Sequence, residues 1–220
     1  MDGEPIDGVS SEASFGQTLA KLKRNGSNIL IVGTDASELH TTLCRRLCGG
    51  VDAPSRYRLS ITDSDSTTQP CTRSSIDAPA HTRTIDVTAA TPSTRVAGDT
   101  SDQTSLKTLG IESNDAIEEL EERADGFEPA SLRVCLDCLQ RLFEAQPRDD
   151  VFQFLHLLTA RVDYYNGMGH YHLPLERTDE LVRLLEPLFD VLVEIRSRRG
   201  TDEHRWQFQD EGTTTEWLAF

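Results

Sequence analysis

The chain has 220 residues, and its 37 acidic against 22 basic side chains leave a formal net charge of −15. That length fits one α/β domain with a substantial buried core. The charge argues against sequence-independent nucleic-acid binding, which needs a Lys/Arg stripe. The apolar runs fall far short of the ~20 residues of a membrane span. Neither nucleic acid nor membrane is therefore an expected partner.

Lysine occurs only at Lys21, Lys23 and Lys107, and every other fixed cation is Arg. Scarce Lys, high acid and abundant Thr suit a halophilic protein in a high-salt cytosol, where salt screens self-repulsion. An ordinary acidic protein is the alternative. Five cysteines, an odd number with no signal-peptide pattern, predict reduced thiols and a cytoplasmic location.

Residues 1–11 are Gly/Asp/Ser-rich and predict a flexible N-terminal arm, followed by a single domain over 12–220. A helix is expected from Glu12 to Arg24, with Phe15, Leu19 and Leu22 on one face. NILIVG (28–33) reads as a strand stopped by Gly33. The next helix, Ser37 to Cys48, stacks Leu39, Leu43 and Leu47 and ends at Gly49-Gly50. YRLSIT (57–62) alternates as a strand does, and RTIDVT (83–88) is a second short strand. The stretches near 63–82 and 89–103 are polar loops.

A helix is expected over Thr104–Arg123, with a break near Gly110. LRVCLDCL (132–139) reads as one strand buried on both faces. Asp149-Asp150 are expected to cap a helix whose stripe is Val151, Leu155, Leu158 and Val162. GHYHL (169–173) follows as a strand, with Gly167 and Gly169 making its entry turn. Thr178 is expected to cap the helix over 179–186. DVLVEIR (190–196) and HRWQFQ (204–209) form an antiparallel hairpin, and EWLAF is free to pair once more. Strands alternating with helices imply a mostly parallel sheet covered on both sides.

NILIVG and the helix after it provide the strand–turn–helix setting of a P-loop, G-x-x-x-x-G-K-S/T, counted from Gly33. The second Gly falls on Glu38, the Lys on Leu39 and the hydroxyl residue on His40. Glu38 would repel a triphosphate, and Thr41 and Thr42 come too late. Asp137 closes an apolar run, where open α/β sheets place ligands and where NTPases keep a Walker-B acid for Mg²⁺. The structural alternative is an Asp bonded to loop amides.

LRVCLDCLQRLF is similar to the Walker-B segment of the RecA/KaiC-like ATPases, a hydrophobic strand delivering Asp, a small residue, Leu and a further helix. The order of parts agrees: NILIVG at the P-loop strand, and YRLSITDSDS at the strand whose catalytic acids match Asp63 and Asp65. The helix over 149–165, GHYHL, and the strand and hairpin over 190–209 follow in turn. The chain thus resembles a degenerate RecA/KaiC-like domain, close to shortened RecA-like proteins of halophilic archaea, over Phe15 to Phe208. The resemblance implies a three-layer α/β sandwich with a mostly parallel RecA-like sheet and a C-terminal antiparallel hairpin. It implies a vestigial nucleotide corner at Gly33, Thr34, Asp63 and Asp137, with no catalytic residues. A regulatory or protein-interaction module is the expected function, its partner another protein or a second copy. No cofactor is expected; the alternative is an unorthodox ATP/Mg sensor or weak ATPase using Asp63, Asp137 and the amides around Thr34–Glu38.

Other groups compete for attention. Cys135-x-x-Cys138 has the spacing of half a zinc site, with Cys44-x3-Cys48 or a histidine pair as its complement. Residues three apart on a strand face opposite sides, so buried thiols serving as small apolar groups are preferred, and no metal is expected. His170 and His172, with His156, form a second candidate metal or proton-transfer set, against histidines that merely pack. There is no G-x-S-x-G elbow for Ser-His-Asp chemistry. Trp206, Phe208 and Trp217 offer either a partner patch or a cover for the sheet edge.

Overall fold

The computed structural model describes residues 7–34, 37–49, 56–63, 81–87, 101–210 and 212–220. In chain order these form α1 (Asp7–Asn25), β1 (Ser27–Val32), α2 (Ser37–Cys48), β2 (Tyr57–Thr62), β3 (Thr82–Asp86) and α3 (Ser101–Ala124). There follow β4 (Leu132–Leu136), α4 (Leu139–Ala145), α5 (Arg148–Tyr164), β5 (Met168–Leu173) and α6 (Glu180–Leu185). The chain closes with β6 (Val191–Arg198), β7 (Thr201–Phe208), β8 (Thr213–Thr214) and β9 (Leu218–Ala219).

The strands make one sheet in the order β3-β2-β4-β5-β1-β6-β7-β8, with β9 also on β7. Pairings from β3 through β6 are parallel. Those of β7 with β6, β8 and β9 are antiparallel. The mostly parallel α/β sandwich with an antiparallel C-terminal edge is therefore present.

Strand alternation divides the core into two layers. Leu30 and Val32 of β1, Leu59 and Ile61 of β2, and Leu132, Val134 and Leu136 of β4 face one way. There they meet Leu109, Ile117 and Leu120 of α3 and Val151, Leu155 and Val162 of α5. Ile29, Ile31, Val191, Val193 and Ile195 face the other way, under Leu39 and Leu43 of α2 and Phe15, Leu19 and Leu22 of α1. Helices on both sides make three layers, as expected of a sheet whose central strands are apolar on both faces.

Several expectations are corrected. α1 begins at Asp7 rather than at Glu12, so residues 7–11 are helical, and residues 1–6 lie outside the described residues. α3 runs through Gly110 without a break, held by Leu106, Leu109, Ile117 and Leu120 in the core. β4 ends at Leu136, so Asp137 and Cys138 lie beyond it and Cys138 is the N-cap residue of α4. Pro147, not Asp149 or Asp150, precedes α5, and the two acids occupy its first turn. Asp179, not Thr178, caps α6, its carboxylate accepting from the Leu181 N–H at 2.8 Å.

Gly169 lies inside β5 rather than in a turn. A Cβ there would come within 2.7 Å of Asn28 Oδ1 and of the Tyr171 hydroxyl. Trp206 and Phe208 are buried beside Phe15. Trp217 is covered by the guanidiniums of Arg196 and Arg205. The polar stretches 64–80 and 88–100, with Asp35, Asp65 and Cys71, fall outside the described residues.

Candidate functional site

Gly33 follows β1 with φ of +144°, backbone open to glycine but strained for other residues. A Cβ here would stand 2.3 Å from the carbonyl oxygen of Ile195, so the chain passes tightly against β6. Both backbone groups of Gly33 are engaged. Its N–H donates to Leu175 O at 2.9 Å, and its carbonyl accepts from His40 Nε2 at 3.0 Å. His40 occupies the P-loop frame's hydroxyl position and is 2 % exposed. Thr34 and Glu38 are exposed.

The two acids are brought together on neighbouring strands. Asp63 follows β2 with its side chain 2 % exposed, and its Oδ2 meets Arg141 of α4 at 2.7 Å. Asp137 follows β4; its Oδ2 accepts from the Thr62 hydroxyl at 3.0 Å, while Oδ1 is buried with no hydrogen-bond partner among the described residues. Burial, then the charge of Asp63, pushes the Asp137 carboxyl up to about 7, against the Thr62 and backbone hydrogen bonds. The acids and Gly33 are not adjacent. β5 stands between β4 and β1, which puts their ends two strand spacings apart, about 10 Å.

A second constellation lies under α2. On β4 and β5, Cys135 and His170 are register partners, and His172 is two residues further along the same face. α2 lays His40, Cys44 and Cys48 over them, at i, i+4 and i+8 on one helical face. Cys44 Sγ is 3.6 Å from Cys135 Sγ, 3.2 Å from His170 Nε2 and 3.9 Å from Cys48 Sγ. Cys48 Sγ is also 3.6 Å from His170 Nε2. Nδ1 of His40 lies 3.0 Å from Nδ1 of His172.

Because the Gly33 carbonyl can only accept, His40 carries its proton on Nε2 in the neutral ring. His40 Nδ1 is then an acceptor and His172 Nδ1–H the donor. This leaves His172 Nε2 a bare lone pair, buried and without a partner among the described residues. Burial holds His172 well below the usual histidine range, helped by His40 and His170. Burial with the Arg133 charge brings His170 down to about 3, and burial raises the thiols of Cys48, to about 11, and of Cys135. The cluster thus favours neutral imidazoles.

At the foot of α2 the guanidiniums of Arg133, Arg58 and Arg56 donate to the carbonyls of Leu47 (3.1 Å), Gly49 (2.9 Å) and Cys48 (3.4 Å). Cations suit a helix C-terminus. Among the described residues Arg133 has no carboxylate partner, although it is 4 % exposed.

The expected sets are therefore redrawn. Cys135 and Cys138 do face opposite ways, Cys138 joining the layer of Leu139 and Leu142. Cys44 is disulfide-bonded, against the expectation of reduced thiols throughout, while Cys48, Cys135 and Cys138 are free. His156 is exposed on α5, which packs on the opposite face of the sheet, and cannot join His170 and His172. The part of His40 and Arg133 was missed. Its signal was the stripe His40–Cys44–Cys48 together with strand parity on β4 and β5.

A family model described as a family of unknown function (DUF7504) matches residues 26–195. The chain belongs to the DUF7504 family. The match runs from the entry to β1 into β6, so this DUF7504 chain carries both Gly33 and the acids, and the whole Cys/His cluster, inside the family segment. No curated protein matches it.

Proposed function

We propose that this DUF7504 chain is a degenerate RecA/KaiC-like domain that acts by binding another protein in cytoplasmic regulation, not by hydrolysing ATP. The observation that carries this reading is the engagement of Gly33. A phosphate cradle needs free backbone N–H groups, and here the first of them is bonded to Leu175 O while His40 fastens the carbonyl. The order of strands and acids supports the RecA-like lineage, and Glu38 and Leu39 stand where a triphosphate would need Gly and Lys.

A surface for the partner lies between α3 and α5. A groove of about 730 Å³ is lined by Leu106, Ile111, Phe154, Leu157 and Tyr164, among others. Ile111, Leu157 and Tyr164 are 63 %, 61 % and 73 % exposed, more apolar surface in one place than scattered exposure explains. Asp115 of α3 and Asp150 of α5 line it together with Lys107 and Arg161, on a chain whose net charge is −15. The occupant in this reading is an amphipathic helix with basic flanks. A second copy would bring one net charge of −15 against another.

A specific observation favours a second reading, a nucleotide sensor: Asp63 and Asp137 meet at the carboxyl ends of β2 and β4. Calorimetric titration in molar KCl separates the two. Mg-ATP should give no saturable heat, whereas a peptide helix with a leucine stripe and Lys/Arg flanks should bind and lose at least tenfold affinity in Leu157→Asp. Saturable Mg-ATP binding abolished in Asp137→Ala would establish the sensor instead. A peptide that does not bind would remove the groove from the reading.

A further inference from the structure

We propose that, in the reduced protein, Cys44, Cys135, His170 and His172 bind one structural zinc ion that fastens α2 to β4 and β5. The inference is independent of the fate of the nucleotide corner. One ligand atom from each of the four lies within 4.8 Å of every other, and all four residues are buried. Tetrahedral zinc with Zn–S of about 2.3 Å and Zn–N of about 2.0–2.1 Å has ligand–ligand edges of roughly 3.3–3.8 Å. The edges from Cys44, 3.6 Å to Cys135 and 3.2 Å to His170 Nε2, need shifts of only tenths of an ångström.

The second observation is His172. A buried nitrogen with a lone pair and no donor is costly, and the chain Gly33–His40–His172 fixes that lone pair on Nε2. Ligating histidines characteristically donate their other ring N–H to a partner that sets tautomer and orientation. His40 is that partner. Two thiolates and two neutral imidazoles also leave a zinc site with no net charge, which a buried position requires. Thiols acting as small apolar groups would explain the cysteines but leave His172 Nε2 unexplained.

The disulfide at Cys44 is the competing state. Two equivalents of a small thiol reductant cleave it, giving two protein thiols and the reductant's own disulfide. Zinc then displaces one proton each from Cys44 and Cys135. Metal occupancy and the oxidation of Cys44 are thus mutually exclusive. Cys48, although 3.9 Å from Cys44, is a neighbour and not a ligand in this assignment.

The test is anaerobic titration of the phosphine-reduced, desalted full chain with Co²⁺, followed by displacement with Zn²⁺. One Co²⁺ per chain with the intense visible bands of a tetrahedral S/N site is expected, bleached by equimolar Zn²⁺. Cys135→Ser and His172→Asn, each checked for retained far-UV circular dichroism, should weaken Co²⁺ at least 100-fold, while Cys48→Ser keeps stoichiometry and spectrum. The unreduced chain should also bind at least 100-fold more weakly. Weak octahedral spectra, equal binding with Cys44 oxidised, or loss in Cys48→Ser with retention in His172→Asn would each overturn the assignment. A variant that fails to fold is replaced by a competition on the wild type, where Zn²⁺ must protect Cys135 from alkylation; an unprotected Cys135 also overturns it.

Discussion

At the scale of single residues, Asn28 shows how much of the framework escapes a pattern reading. Its side-chain amide donates to Thr159 O at 3.2 Å and Asp163 Oδ1 at 2.7 Å, and its Oδ1 accepts from the Tyr171 hydroxyl at 2.8 Å. Its backbone N–H donates to Asp190 Oδ2 at 2.7 Å. One polar residue inside NILIVG thus joins β1 to α5, β5 and the entrance of β6, yet in the sequence it looks like an interruption of an apolar run. Gly169 belongs to the same knot, since only hydrogen fits beside Asn28 Oδ1 and Tyr171. The knot has a pH signature. Burial, then the neighbouring Asp190, raises Asp163 to about 6, against the Asn28 hydrogen bond, and burial raises Asp190 too. Because the unfolded carboxyl titrates near ~3.9, the folded state holds this proton more tightly. Its contribution to stability is present below about pH 4 and is lost as pH rises through about 6. Urea midpoints measured from pH 4 to 7.5 should therefore fall more steeply for the wild type than for Asp163→Asn. Parallel curves would show that the carboxylate is as well accommodated folded as unfolded.

At the scale of elements, periodicity located most of the described helices and strands, though not α4 or β8, because each buries one stripe or one face. It misplaced their ends, which are set by contacts that local sequence does not contain. LRVCLDCL is expected to stay a strand through Leu139, but β4 stops at Leu136, where its pairing with β5 ends at Tyr171. A break at Gly110 is the sequence expectation because glycine disfavours a helix interior by roughly 0.5–1 kcal/mol. The buried stripe of α3 outweighs that amount. Since a Cβ at Gly110 would meet only Phe154 Cδ2, at 3.9 Å, Gly110→Ala should stabilise the protein by ~0.5–1 kcal/mol. Gly169→Ala should cost ~1–3 kcal/mol, the overpacking range. Urea denaturation with unchanged m-values checks both, and opposite signs for the two substitutions are the required result. A destabilised Gly110→Ala would mean that α3 bends at this position in solution.

At the scale of the whole molecule, the candidate sites were legible only in halves. Asp63 and Asp137 could be placed at strand ends from the sequence, but that Arg141 holds Asp63 depends on how α4 follows β4. His170 and Cys135 could be placed on strands, but only the order β4-β5-β1 and the seat of α2 bring them to Cys44. Net charge is the one global property that the sequence gives directly, and it sets an opposition between two effects of salt. Partly exposed ion pairs, such as Arg161 with Glu118 and Arg196 with Glu203, both at 2.8 Å, weaken in salt, but each contributes only ~0–1 kcal/mol. The excess of 37 acidic over 22 basic side chains is repulsive over longer range and acts on the folded state as a whole. Screening should therefore win, and the thermal midpoint should rise with KCl. The Debye length falls from about 10 Å at 0.1 M to about 3 Å at 1 M and changes little afterwards, so the rise should be steepest below 1 M. A rise that begins only above 1 M would point to salt strengthening apolar burial instead, and a midpoint that falls with KCl would show that the ion pairs outweigh the net charge.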